Sequence, residues 1–337
     1  MNHILLAGID TLAIGYQVEE FKLSSDEWQA LAFAKESAQD RVFSSEGVPV
    51  QFKGRDFSLS PKGSRGYEYI LRNDDVTVQL AQRAEGGASY PEVRVTFRSQ
   101  YLWRHGWRGC VSAIQKWLDT WLVVGAEKVS RLDLCVDVNL SLPDIQLRSN
   151  EVVSKSRTRE EFFIQNHFVG LAETGFTFGK GNLMCRIYDK LAEIAHSQKV
   201  WFTDLWQKKG WDGDSSVTRV EFQCRRPFLK SMQVDTLQDL EAQLGDLWAY
   251  MTDWIVLKDN NPNDSNRTRW PMKSFWKVIR QAVPSFGVVT GVMRIVQRKP
   301  KFEAISSMGR GLLISMAALA ASEFSRVPVE SAVRGML

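Results

Sequence analysis

Tyr188 stands in the run Met184-Cys185-Arg186-Ile187-Tyr188-Asp189-Lys190, where the pattern of a strand gives way to that of a helix. Two other segments carry ionisable side chains at alternate positions. In Arg131–Val138, Arg131, Asp133, Cys135 and Asp137 share one face of a strand, and Leu132, Leu134, Val136 and Val138 share the other. In Thr218–Arg226, Arg219, Glu221, Gln223 and Arg225 oppose Val220, Phe222 and Cys224. If these strands are neighbours, Asp133, Asp137 and Glu221 could hold a hard divalent cation beside Tyr188. A free phenol titrates at about 10, so it needs help to attack. A cation with Arg186 or Lys190 nearby would favour the phenolate and neutralise the charge of a pentavalent phosphorane. The metal would polarise and align the phosphate, and attack would leave a phosphotyrosine and a free deoxyribose hydroxyl. The bland alternative is a half-solvated antiparallel sheet, whose outer face is polar for no chemical reason. Three such strands mixing acids with arginine weigh against it.

The ordered set of Arg131-Leu-Asp-Leu-Cys-Val-Asp137, Arg186-Ile-Tyr-Asp-Lys190 and Thr218-Arg-Val-Glu-Phe-Gln223 resembles the Rep-trans rolling-circle replication initiators of plasmids and filamentous phages, to which relaxases of integrative elements are related. Gly66-Tyr67-Glu68-Tyr69 and Val93-Arg94-Val95-Thr96-Phe97 look like that family's upstream strands, and the likeness covers about residues 60–235. The resemblance implies Tyr188 as nucleophile in the R-x-Y-x-K motif. It also implies a carboxylate-bound cation, for which Asp133, Asp137 and Glu221 are the matching positions.

The elements around these motifs imply an α+β fold, antiparallel or mixed sheets with packed helices. Ser24-Ser25-Asp26-Glu27 is a capping box for a helix over Trp28–Asp40. Strands are expected at Tyr67–Arg72, Val76–Gln82 and Val93–Arg98. Gly109–Val124 is an amphipathic helix with Ile114, Trp117, Leu118, Trp121 and Leu122 on its apolar stripe. A second block opens with the strand Ser130–Asn139; Glu161–Gln165 can form another. Gly175–Phe178 and Leu183–Tyr188 make a hairpin about Gly179-Lys180-Gly181-Asn182, and Asp189–Gln198 continues as a helix. Val217–Arg225 is a strand, and a long helix over Thr236–Leu257 ends at the Asn- and Asp-rich stretch Asp259–Asn266. The expected division is therefore 1–125 and 126–258, two sheet-and-helix blocks of similar order, and 259–337, a small helical region.

The 337 residues have an ordinary globular composition, 44% hydrophobic and 24% charged. No apolar run reaches the roughly 18–20 residues of a membrane span, and the N-terminus lacks the basic start of a secretory signal; a cytoplasmic location follows as the expectation. The four cysteines form no CxxC pair, and no two of the four histidines are close. A metal would then be carboxylate-bound, which favours Mg²⁺ or Mn²⁺.

Net charge is only +4, yet the cations cluster. Nine Lys or Arg and no acid lie between Ser265 and Phe302, and five with no acid between Val93 and Leu118. Lys273, Lys277 and Arg280 fall on one helical face, with Trp270, Trp276 and Phe286 interleaved as candidate stacking platforms. Arg94, Arg98, Arg104 and Arg108, with Trp103 and Trp107, make a second strip, and Arg219 lies within the motif itself. These residues are the candidate DNA contacts, to duplex origin DNA and to a single strand. Expected partners are that DNA and a host helicase, with no membrane. A conjugative relaxase would use the same chemistry. A non-catalytic DNA-binding protein of the same fold is the reading from a different class.

Overall fold

The structure, a computed structural model, describes residues 3–40, 47–64, 66–81, 90–145, 147–155, 164–169 and 172–291, with 294, 312–314 and 316 besides. Met1–Met293 form one compact unit and Arg294–Leu337 another. In the second, 312–314 and 316 are helical. Of the cluster Ser265–Phe302, residues 292, 293 and 295–302 lie outside the description.

The first unit opens with β1 (Ile4–Phe21) and α1 (Ser25–Gln39), then β2 (Val48–Phe52), β3 (Arg55–Leu59), β4 (Tyr69–Arg72), β5 (Val76–Leu80), β6 (Val93–Phe97), α2 (Ser99–His105) and α3 (Trp107–Leu118). The second block runs β7 (Leu122–Asn139), β8 (Val152–Ser154), β9 (Ile164–Val169), β10 (Ala172–Phe178), β11 (Leu183–Asp189), α4 (Lys190–Ser197), α5 (Trp201–Gln207), β12 (Val217–Arg225), α6 (Arg226–Ser231), α7 (Leu237–Trp254), β13 (Ile255–Leu257), α8 (Ser274–Arg280) and α9 (Val283–Phe286). The fold is α+β, as the patterning implies.

Eleven strands form one antiparallel sheet in the order β2-β3-β4-β5-β6-β1-β7-β12-β11-β10-β9, and β13 pairs with β8 apart from it. The order is symmetric about the long central pair. β6, β5 and β4 stand outside β1 as β12, β11 and β10 stand outside β7. Each half then leaves its inner flanking strand through two helices, α2–α3 after β6 and α6–α7 after β12. The two similar halves expected from sequence are thus present as a repeated strand-and-helix arrangement.

The local signals act as their chemistry requires. Ser24 and Glu27 close a reciprocal capping box, with the Glu27 N–H donating to Ser24 Oγ at 3.3 Å and the Ser24 N–H to Glu27 Oε2 at 2.9 Å. The β10–β11 hairpin turns through Gly179 and Gly181, both at positive φ (80° and 89°). On β7 and β12, Leu132, Leu134, Val136, Val220 and Phe222 are fully buried, and they join the main core with residues of α6, α7 and α8. The opposite, polar face of the same strands lies near a smaller cluster that includes Leu6, Ile194, Phe202, Trp206 and Val217.

Three expectations need correction. β1 was not foreseen, although it is the centre of the sheet. It carries Gly8 and Gly15, and its register against β7 shifts at several points, so it shows no clean alternation. β7 begins at Leu122, eight residues before the expected strand, and Glu161–Phe163 fall outside the described residues. Finally, the chain does not leave the domain at 259. Trp276 is fully buried with its ring centroid 6.5 Å from that of Phe222, and its Nε1–H donates to the Thr252 carbonyl at 3.1 Å. Phe286 stacks on Trp248 at 4.5 Å. Trp276→Ala should therefore cost about 3–5 kcal/mol, as for other buried large aromatics; chemical denaturation of the full chain measures it, and a change under about 1 kcal/mol would mean this segment is peripheral.

Candidate active site

The polar faces of β1, β7, β12 and β11 lie side by side, and pairing brings their ionisable residues into register. Arg219 pairs with Asp137 on one side and Tyr188 on the other. Glu221 pairs with Cys135 and Arg186, and Gln223 with Asp133 and Met184. A fourth acid, Asp10, joins them from β1. It sits where the register slips between Ile9 and Thr11, a bulge that re-aims a side chain. Sequence reasoning missed Asp10 because its strand was missed; a lone acid in an apolar run, Leu5 to Ile14, was the available signal.

These groups divide into two networks. The inner one is closed. Arg219, with no exposed surface, donates through Nε and Nη2 to both oxygens of Asp137 at 2.5 and 2.9 Å and through Nη1 to Asp10 at 2.9 Å. Trp206 Nε1–H adds a bond to Asp137 at 2.9 Å; Ser99 and Trp103 donate to Asp10 at 2.8 and 3.0 Å. The Phe202 ring lies 4.5 Å from the guanidinium carbon of Arg219 and 4.4 Å from Lys190 Nζ. Burial acts to raise the Asp10 carboxyl, but the charges of Arg219 and Lys190 and the two hydrogen bonds outweigh it and hold it at about 2.

The outer network contains the nucleophile candidate. Tyr188 O–H donates to Glu221 Oε2 at 3.0 Å, and Arg186 Nη1 donates to Glu221 Oε1 at 3.3 Å. Arg186 Nη2 reaches Gln223 Oε1 at 3.2 Å, and Arg131 holds both oxygens of Asp133 at 3.0 and 2.5 Å. Arg131 and Arg186 are about one third exposed (35% and 37%), so their heads face an approach from solvent while their carboxylates do not. Tyr188 also lines a cavity of about 470 Å³ formed with β10, β11 and α4.

Two electrostatic expectations change. Tyr188 is pushed well above the ordinary phenol value, first by burial and then by the Glu221 charge, with Arg219 opposing. The neighbouring cations therefore do not produce a standing phenolate. Glu221 is raised too, by burial and then by the charges of Asp10 and Asp133. Asp133 is raised chiefly by burial, which outweighs its bonds to Arg131. Lys190 begins α4 rather than extending the strand. It is buried and paired with Glu193, and burial followed by the Arg219 charge lowers its pKa. Its ammonium lies 5.7 Å from the centre of the Tyr188 ring.

The expected cation ligands do not converge. Asp137 is fully buried with both oxygens taken by Arg219 and Trp206, while Asp133 and Glu221 meet arginines. Among the described residues no three His, Cys, Asp or Glu side chains are placed to hold a metal ion. As arranged, these residues do not fit Mg²⁺ or Mn²⁺, which take sets of oxygen ligands.

Nor do all the candidate DNA contacts lie free. Arg219 is sealed in the inner network, so it cannot touch DNA. Lys273 precedes α8 and pairs with Glu151 at 3.2 Å and Asp259 at 3.4 Å; Arg280 lies 3.8 Å from Asp253. Trp270, Trp276 and Phe286 are buried, which removes them as stacking platforms. Trp103 is spent on Asp10, and Arg108 pairs with Glu241 at 2.6 Å. Arg98, Arg104 and Lys277 are exposed, and Arg94 is half-buried.

The first half repeats this geometry without its chemistry. Gln79 and Thr96 flank Arg94 and Thr77 as Tyr188 and Glu221 flank Arg219 and Arg186. Arg94 pairs with Gly15 where Arg219 pairs with Asp137.

A scan against protein-family models finds no match, and neither does a search of curated proteins. Among solved structures, the chain is similar to the rolling circle replication initiator protein from Geobacillus stearothermophilus. The two are 17% identical, the match covers 88% of this chain and 100% of that one, and the TM-score is 0.47.

Two measurements check the division into networks. Asp137→Ala leaves Arg219 charged and unpaired in the interior and should cost roughly 3–5 kcal/mol; Glu221→Gln, beside a partly exposed arginine, should cost far less in the same denaturation series. Millimolar Mn²⁺ without DNA should move the melting temperature by less than about 1 °C, because the carboxylates already have cationic partners. A larger shift that Glu221→Gln removes would show that Arg131 and Arg186 vacate a cation site.

Proposed function

We propose that this chain nicks and rejoins one DNA strand through Tyr188 and so initiates rolling-circle replication of a phage or plasmid. The observation that carries the reading is the 3.0 Å hydrogen bond from the Tyr188 phenol to Glu221, whose other oxygen is held by Arg186. A nucleophile bonded to a base that a third group orients is the arrangement activation requires. Because the phenol is raised well above its ordinary value, attack is coupled to proton transfer rather than preceded by it.

The step balances among those residues, the substrate and solvent. Tyr188 Oη bonds to phosphorus as its proton passes to Glu221. The P–O bond to the leaving deoxyribose oxygen breaks, and that oxygen takes a proton from solvent. Arg186 and Arg131, partly exposed, can turn from their carboxylates to the phosphate oxygens as negative charge builds there. The phosphotyrosine keeps the bond energy, and attack by the freed hydroxyl reverses the steps and reseals the strand. Asp133 tunes Glu221 by charge. Arg94, Arg98, Arg104 and Lys277 are the cations proposed to hold flanking phosphates. Origin duplex, the displaced single strand and a host helicase are the proposed partners.

Nicking of supercoiled origin plasmid tests this. Tyr188→Phe should abolish both the nick and the SDS-stable protein–DNA adduct and leave DNA binding within about threefold, a change of less than one kcal/mol. An adduct formed by the Phe variant would exclude this tyrosine; DNA binding with no nick by the wild-type chain would favour a non-catalytic binder.

The pH profile supplies a second test. Glu221 accepts a proton only when ionised, and its pKa is raised above 4.5. Nicking should therefore fall as pH drops through a value above the ordinary glutamate range. Asp133→Asn removes a charge that raises Glu221 and should move that acid limb to lower pH. A limb that stays in place, or moves up, would remove Glu221 from the proton-accepting role.

A further inference from the structure

The cavity beside Tyr188 is larger than a phosphate needs. Its volume of about 470 Å³ falls in the range of roughly 300–1,000 Å³ that takes small organic ligands. The walls come from three elements that also fix the nucleophile: Phe176 and Gly175 on β10, Met184 and Tyr188 on β11, and Ala192 and His196 on α4. Tyr188 offers aromatic surface and Met184 a polarisable thioether, the surfaces on which a planar, π-faced ligand is held; Phe176 pairs with Ile187 and packs its ring in the main core against Phe178. Arg186 at the same wall is partly exposed and supplies a cation next to the aromatic surface. The space depends on Gly175. It pairs with Tyr188, and a Cβ there would come within 2.8 Å of Tyr188 Cβ and of the Ile187 carbonyl.

We propose that this cavity takes one unstacked nucleobase of a single-stranded DNA substrate, the base of a nucleotide adjoining the phosphate that Tyr188 attacks. The proposal rests on the reading of Tyr188 as a nucleophile. The occupant follows from placement, because the ring of the reacting residue is itself a wall. Whatever fills the cavity lies close in space to the atom attacked. In a DNA substrate the planar, uncharged group next to a phosphate is the base, and the arginine at the wall suits the backbone between them. A base within a duplex cannot enter without leaving its stack, which costs a few kcal/mol. Stacking on the protein returns about 1–3 kcal/mol per base. The balance favours DNA already opened, so the cavity would confine Tyr188 to single strands while duplex contacts elsewhere choose the locus.

Binding of short fluorescent probes tests this without cleavage. The full chain is titrated with 12-nucleotide single strands of dT, dC and dA, and with a 12-unit strand of abasic sugar-phosphate carrying the same charge. The wild type should prefer at least one base-bearing strand by about 5-fold or more, the lower end of one stacked base. Tyr188→Phe, which keeps the ring, should retain the preference. Ala192→Trp, which fills the cavity from the exposed side of α4, should reduce it to within about twofold and leave abasic binding unchanged. An equal preference in Ala192→Trp and wild type overturns the proposal. Should Ala192→Trp not fold, photocrosslinking of the wild type to strands carrying 5-iododeoxyuridine decides. Adducts on peptides containing Met184 or Tyr188 support the cavity, and adducts only elsewhere overturn it. The two readings fail separately: base preference without any covalent adduct on origin DNA sinks the nucleophile and keeps the cavity, and an adduct without base preference does the reverse.

Discussion

The buried guanidinium of Arg219 is the constraint around which the half that carries the candidate site is arranged. Unpaired, a charge with no exposed surface would cost several kcal/mol. Here each guanidinium nitrogen has an acceptor: Asp137 takes two donors, Asp10 takes a third, and the Phe202 ring lies against the plane. Those partners come from β7, β1 and α5, and through Asp10 also from Ser99 and Trp103 of α2. One side chain thus links both halves of the sheet to the helices above it. The pair Asp137–Arg219 spends its charge on position, which is why it is poorly suited to binding a cation or a phosphate.

That commitment shapes the outer network. With Arg219 tied to Asp137 and Asp10, its charge reaches Tyr188 and Glu221 only as an opposing influence weaker than burial in both. Burial and mutual repulsion then raise Glu221, and burial with the Glu221 charge raises Tyr188. A neutral phenol hydrogen-bonded to a carboxylate of raised basicity is a poor nucleophile at rest and a competent one once the proton moves. In the proposed reaction, such a site would stay inert until a phosphate arrived and drew Arg186 from Glu221.

The second half was largely legible because its strands alternate cleanly. Val220, Phe222 and Cys224 face the core while Arg219, Glu221 and Gln223 face the site, so period two alone separated chemistry from packing. The hairpin announced itself through Gly179 and Gly181, and α1 through its capping box. What stayed hidden depended on partners that a sequence does not name. β1 is irregular because it serves two halves at once, pairing β6 along part of its length and β7 along nearly all of it. The carboxylates Asp133, Asp137 and Glu221 look alike in sequence, and only the arginine each meets tells a clamp from a base. Likewise Lys273, Lys277 and Arg280 read as one cationic face, but the helix begins after Lys273, which turns to Glu151.

The duplicated arrangement leaves the chain with one candidate site on two similar halves of a single sheet. Arg94-Val95-Thr96-Phe97 on β6 and Arg219-Val220-Glu221-Phe222 on β12 occupy equivalent places beside the central strands, and Val95, Phe97, Val220 and Phe222 are all fully buried. Packing demands the apolar alternation in both halves. The polar positions carry no such demand, and there they diverge: Thr96 against Glu221, Thr77 against Arg186, Gln79 against Tyr188, Gly15 against Asp137. Gln79 has no ionisable hydroxyl and Thr96 no carboxylate, so that pair can neither attack a phosphate nor accept a proton from an attacking group. The first half is accordingly free to act as a scaffold. Through β1 it contributes Asp10, which it places against Arg219 in the other half.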